Sequence, residues 1–131
     1  MKVKKIWAVY FSATGNTRKV VTKIADVIAD ELGVERERLD FTLPTARTTA
    51  PSFSPDDLVV LGTPVYAGRV PNVLLKYLGT LRGHGASAVP LVSFGNRAYD
   101  DALVELRDIL EANAFHTIAA AAFVGAQSFS Y

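Results

Sequence analysis

Short apolar runs alternate along this chain with longer stretches in which apolar residues recur every three or four positions. Lys5 to Phe11 is a run of β-branched and aromatic residues without polar alternation, the pattern of a strand covered on both faces. From Asn16 onward Val20, Val21, Ile24, Val27, Ile28 and Leu32 follow helical spacing, and Gly33 stands where a left-handed C-cap belongs. This predicts a helix of about four turns. Arg38 to Leu43 reads as a second strand, and the Pro-, Ser- and Thr-rich stretch Pro44 to Pro55 as a surface loop. Asp57 to Pro64 is a third apolar run ending in turn residues. Pro71 then opens a helix with Val70, Val73, Leu74, Tyr77, Leu78 and Leu81 on its inner face. Ala88 to Phe94 predicts a fourth strand and Asp100 to Ala112 a helix with Leu103, Leu106, Ile109 and Leu110 inward. Thr117 to Val124 predicts a fifth strand, whose alanines imply close approach by a neighbour.

Strands alternating with helices, and apolar runs in place of period-two alternation, give an α/β fold: a doubly wound, five-stranded parallel sheet with helices on both faces and right-handed connections. In such sheets ligands bind beyond the carboxyl ends of the strands, where strand order reverses. Three loops leave strand ends there: Ser12 to Thr17, Thr63 to Arg69, and Gly95 to Asp101.

The chain's 131 residues suit one domain spanning residues 1–131. Fourteen basic and 13 acidic side chains leave a formal charge of +1, which gives no footprint for nucleic acid. The Lys2, Lys4, Lys5 cluster reads as solvation of a strand end. With no cysteine, the chain itself supplies no disulfide, thiol redox chemistry or thiolate-held metal, so any electron chemistry belongs to a bound cofactor. No apolar stretch reaches the roughly 20 residues of a membrane span and no signal-peptide pattern opens the chain, so a cytoplasmic location is the expectation.

The run Tyr10-Phe11-Ser12-Ala13-Thr14-Gly15-Asn16-Thr17 joins the first strand to the first helix and reads as a phosphate cradle. An anion at a helix start meets unpaired N–H groups and the positive end of the helix dipole. Ser12, Thr14 and Thr17 add hydroxyls, while Gly15 and Asn16 tolerate positive φ. The lysine of a nucleotide-binding P-loop and the three glycines of a dinucleotide fingerprint are both missing, which favours a monophosphate. The competing reading is that Thr14 to Thr17 only cap the helix. Tyr66 in the second loop and Tyr99 in the third suit a flat heteroaromatic phosphate ester.

Together the three loops resemble those of flavodoxin-like domains that bind flavin mononucleotide (FMN). The first matches the family's [ST]-x-T-G-N-T pattern, and TPVYAGRVPN and SFGNRAYDDAL are similar to the flavin-ring loops of flavodoxins, alone or fused to ferredoxin-type iron–sulfur modules. The resemblance covers about residues 3–129. It implies that Ser12, Thr14, Asn16 and Thr17, helped by the N–H groups of Ala13 and Gly15, hold the phosphate. It assigns the ring to Thr63, Pro64, Val65, Tyr66, Ala67 and Gly68, and to Phe94, Gly95, Asn96, Tyr99 and Asp101. Tyr66 and Tyr99 would flank the ring, and the Ala67–Gly68 peptide would face the flavin N5 in either orientation. Arg69 and Arg97 are either partners for an anionic flavin or solvated surface charges.

Several other residues read as structural. His84, His116 and Trp7 show no metal spacing or ring role, and Asp100 and Asp101 read as helix-dipole partners. Two departures from the family stand out. The net charge is nearly neutral where electron-shuttling flavodoxins are strongly acidic. In addition, Gly125 to Tyr131 follows the fifth strand where a final helix would stand. The expectation is that a homodimer partner, or residues beyond the chain, covers the face so left open. The function implied is a non-covalent FMN electron carrier with a ferredoxin-type or reductase partner. The alternatives are an FMN-dependent reductase acting on a quinone, porphyrinogen or nicotinamide, or an interaction module without flavin.

Overall fold

The computed structural model describes residues 2–95 and 100–124. Asn96, Arg97, Ala98, Tyr99 and the segment 125–131, all invoked above, lie outside the described residues, as does the side chain of Asp100.

The elements run β1 (Lys5–Tyr10), α1 (Asn16–Leu32), β2 (Glu35–Asp40), a 3-10 turn (Pro44–Arg47), β3 (Asp57–Pro64), α2 (Asn72–Leu78), β4 (Ser87–Phe94), α3 (Asp100–Ala112), β5 (His116–Thr117) and β6 (Ala121–Val124). Strand order is β2-β1-β3-β4-β5, all parallel, and β6 also pairs with β4. Order therefore reverses between β1 and β3, whose carboxyl ends carry the first two loops. Among the described residues no helix follows β6.

Each central strand feeds two cores because successive side chains point to opposite faces. Ile6, Ala8, Leu58, Val60, Val89 and Leu91 meet Val21, Ala25 and Ala29 of α1. Val9, Val59, Leu61, Ala88 and Val92 meet Leu74, Tyr77 and Leu78 of α2 and Ala102, Leu106 and Leu110 of α3. The helices thus cover both faces. α1 ends as the sequence requires, with Gly33 at φ 67° and its N–H bonded to the Ala29 carbonyl.

The structure corrects five readings. β1 stops at Tyr10, and β2 lies at Glu35–Asp40, earlier than Arg38 to Leu43. As the edge strand it pairs, among the described residues, only with β1, so its mostly exposed ERERLD sequence carries no apolar run to mark it. α1 buries the line Thr17, Val21, Ala25, Ala29 and leaves Val27 and Leu32 52% exposed, because small side chains let the helix sit close to the sheet. Val73 of α2 is 61% exposed and does not face the core. The fifth strand is broken: β5 pairs with Ser87 and Ala88, β6 with Leu91 to Phe94, and Ala119 and Ala120 between them are exposed with no close neighbour strand.

Candidate functional site

The first loop leaves β1 through Phe11, whose N–H donates to the Gly62 carbonyl (3.2 Å). Ser12 then fixes the turn twice: its N–H donates to Thr42 Oγ1 (2.9 Å) and its hydroxyl accepts the Arg18 N–H (3.0 Å). Gly15 is the N-cap of α1 at φ 92°, a conformation that strains any residue with a Cβ, and no side chain of the cap residue bonds to the helix. The third amide of the helix is therefore satisfied by Ser12 from six residues upstream. Thr14 and Thr17 do not cap: Thr14 is exposed on the rim, and Thr17 turns inward, its hydroxyl 2.6 Å from that of Ser93. No acidic residue stands in the first turn of α1, so no side chain of that turn neutralises the positive end of its dipole.

The second loop is tied to β4 by the Val65 N–H donating to the Ser93 carbonyl (3.0 Å). Tyr66 and Arg69 exchange both backbone bonds (2.9 and 3.0 Å) around Ala67 at φ 53° and Gly68 at φ 78°. Two consecutive positive φ values make this a type I′ turn, with Ala67 in a region that disfavours alanine. Glu105 of α3 clamps the outgoing leg. Its carboxylate accepts from Arg69 Nε (3.2 Å), Arg69 Nη2 (2.6 Å) and the Val70 N–H (3.0 Å). The Arg69 hydrogen bond foremost, then the Val70 N–H, lower the Glu105 pKa against a partial opposing effect of burial, and the same pair raises that of Arg69. Arg69 is thus paired with Glu105.

A cavity of about 140 Å³ opens where these loops meet. Ala13, Thr14, Asn16 and Thr17 line it from the first loop, Pro64, Val65 and Tyr66 from the second, and Ser93, Phe94 and Gly95 from the end of β4. Among the described residues no carboxylate lines it. Tyr66, 48% exposed, forms part of the rim. Other expected residues stand behind or beside the cavity: Ser12 and Gly15 shape the loop, and Thr63 is fully buried with Oγ1 lacking a hydrogen-bond partner among the described residues. Ala67 and Gly68 form the turn tip, and Asp101 lies with Arg69 and Glu105 in a separate groove on α3. Asn96 and Tyr99 lie outside the described residues. Sequence reading missed Ser93, and the signal for it was present: a polar residue closing the apolar run of β4, in register with Pro64.

The remaining candidates settle as structural. Trp7 packs edge-on against Phe53 (5.2 Å between centroids), and His84 Nδ1 lies 3.0 Å from the Phe53 carbonyl oxygen. Among the described residues no cluster of His, Cys, Asp or Glu could hold a metal ion, and no helix is long and apolar enough to cross a membrane.

A parallel sheet of order 2-1-3-4-5 with a hydroxyl-rich loop at its reversal point defines the flavodoxin-like class. A family model for the flavodoxin domain matches residues 8–117, and the chain belongs to that family. No curated protein matches the chain. Among solved structures, the flavodoxin of Streptococcus pneumonia TIGR4 superposes with TM-score 0.68 at 17% identity, covering 92% of this chain and 84% of that one. A short-chain flavodoxin associated with a non-canonical PDU bacterial microcompartment gives 0.65 at 16%, with 95% and 85% covered. A Lactobacillus acidophilus NCFM flavoprotein in complex with FMN gives 0.55 at 15%, with 92% and 93% covered.

Proposed function

We propose that this chain binds FMN without a covalent bond and serves as an electron-transfer module for a redox partner protein of the ferredoxin or reductase type. The observation that carries the reading is the junction at the N-terminus of α1. There a loop shaped by Ser12 and Gly15 brings Thr14, Asn16 and Thr17 to a cavity that no carboxylate lines among the described residues. The donor set fits a phosphate monoester: hydroxyls, backbone N–H groups and a helix dipole, with no negatively charged side chain among the described lining residues. The Ser12 hydroxyl accepts from Arg18 and keeps its own proton to donate.

FMN, when bound, supplies one- and two-electron chemistry at its ring. The chain's residues do the rest. The first loop binds the phosphate. Pro64, Val65, Tyr66, Phe94 and Gly95 line the rest of the cavity and would border the ring. The Tyr66–Arg69 turn presents its central peptide under the hold of Glu105. FMN in the relative from L. acidophilus supports the cofactor assignment.

Stopped-flow reduction tests the reading. FMN-loaded protein is expected to take electrons from a flavodoxin reductase and to react with NADPH alone no faster than free FMN does. Rapid direct hydride uptake from NADPH would replace the carrier reading with that of a reductase.

A further inference from the structure

Ser93 connects the loops around the cavity. Its hydroxyl meets the Thr17 hydroxyl at 2.6 Å, its carbonyl accepts the Val65 N–H at 3.0 Å, and it immediately precedes Phe94 and Gly95 at the mouth of the cavity. Both hydroxyls are nearly out of water, at 2% exposure for Thr17 and 6% for Ser93. A buried hydroxyl stripped of its partner bears the desolvation penalty unrelieved, so this pair holds Thr17 firmly in place.

Thr17 is the second residue of α1, inside the turn whose amides and dipole would face the anion. The Thr17–Ser93 bond therefore anchors the phosphate loop to β4, from the opposite side to the Ser12–Thr42 bond that ties it to the end of β2. The backbone bond from Val65 to Ser93 does not depend on the Ser93 side chain. Removing the hydroxyl consequently loosens the phosphate loop and leaves the ring loop attached.

We propose that Ser93 is a positioning residue that sets the preference of this site for phosphorylated flavin over riboflavin, by holding Thr17 and with it the first turn of α1. This rests on the FMN reading above. Ser93 acts through Thr17 and is assigned no contact with the phosphate.

The test compares Ser93→Ala with wild type in titrations of the flavin-free protein with FMN and, separately, with riboflavin, followed by flavin fluorescence. FMN affinity is expected to fall about tenfold, the equivalent of one hydrogen bond, with riboflavin affinity changing less than about twofold. Thr17→Val, which also removes a hydroxyl from the cavity, should lose at least as much, the double variant Thr17→Val/Ser93→Ala no more than Thr17→Val alone, and Thr17→Ser, which keeps the hydroxyl, a loss well below tenfold. Equal losses for both flavins, or none for FMN, would overturn the proposal. Should wild type bind neither flavin, the functional reading fails and the anchoring is read by itself, from amide hydrogen exchange across residues 12–19 of the flavin-free protein. Ser93→Ala should then speed exchange there about tenfold, and unchanged exchange would overturn the anchoring too.

Discussion

Gly62 lies on β3 directly beneath α1, and replacing it with alanine tests how closely that helix sits on the sheet. The added methyl would overlap Val21 Cγ2 outright, stand 3.0 Å from Thr17 Cγ2 and 3.4 Å from Leu91 Cδ2. Val21 and Leu91 are fully buried and Thr17 is 2% exposed, so none of the three can swing into solvent. A helical valine has essentially one χ1 rotamer, so Val21 cannot rotate away either. Relief requires α1 to shift, and overpacking of this kind costs roughly 1–3 kcal/mol. Restricting the unfolded chain returns about 0.4–1 kcal/mol, for a net loss near 1–2 kcal/mol. Urea unfolding followed by circular dichroism should show a lower midpoint at unchanged slope, and the melting temperature should drop by about 3–6 °C per kcal/mol at this chain length. Because Thr17 is one of the crowded residues, FMN affinity should fall as well. Adding Val21→Ala removes the overlapping methyl, so the double variant should be more stable than the sum of the single losses by roughly 1 kcal/mol or more. A Gly62→Ala protein within about 0.5 kcal/mol of wild type would refute the close approach of α1 to β3.

Three further outcomes follow from the same geometry. Thr14→Ala, at an exposed rim position, should leave stability within about 0.5 kcal/mol of wild type while weakening FMN binding by about 1.5–3 kcal/mol, a hydrogen bond to a charged group, measurable by calorimetric titration. Val73→Ser should be nearly neutral, whereas Leu74→Ala, one residue on and fully buried, should cost about 2–5 kcal/mol in the same urea experiment. Glu105, its pKa lowered chiefly by Arg69, contributes stability that is complete above the ordinary glutamate pKa of about 4.3 and is lost as pH falls through its lower folded value; Glu105→Gln should therefore flatten the acid limb of the stability–pH curve below about pH 4.5 and leave its shape near pH 7 unchanged.

The fold was legible wherever burial is two-sided. β3 and α3 begin and end where their apolar patterns do, and α1 begins at Asn16 and stops at Gly33, because β3 is covered on both faces and Gly33 takes the left-handed C-cap conformation without the strain a Cβ would bring. β2 was misplaced because an edge strand needs only one neighbour, so Leu39 and Phe41 drew the reading toward the loop. The faces of α1 and α2 were set by local fit. Alanines at 25 and 29 and Gly62 opposite draw α1 inward along one line, and the larger Val27 and Leu32 fall outside it.

The cavity was legible as three loops, since hydroxyls, glycine and proline at strand ends carry their own turn chemistry. What the spacing of residues could not show is which hydroxyls turn inward. Thr17 and Thr14 are chemically equivalent in the loop, and only the depth of Ser93 at the end of β4 separates an anchor from a rim donor. Arg69 likewise read either as a partner for an anionic flavin or as a solvated charge until α3 placed Glu105 against it, a contact 36 residues apart along the chain.

The most direct test is the visible spectrum of the purified, flavin-free protein during titration with FMN. A shifted and structured flavin band that saturates at one FMN per chain, with the change reversed by Gly15→Val in the cap of α1, is the expected result. A spectrum that stays that of free FMN at micromolar protein would contradict the assignment of this loop as a flavin phosphate site.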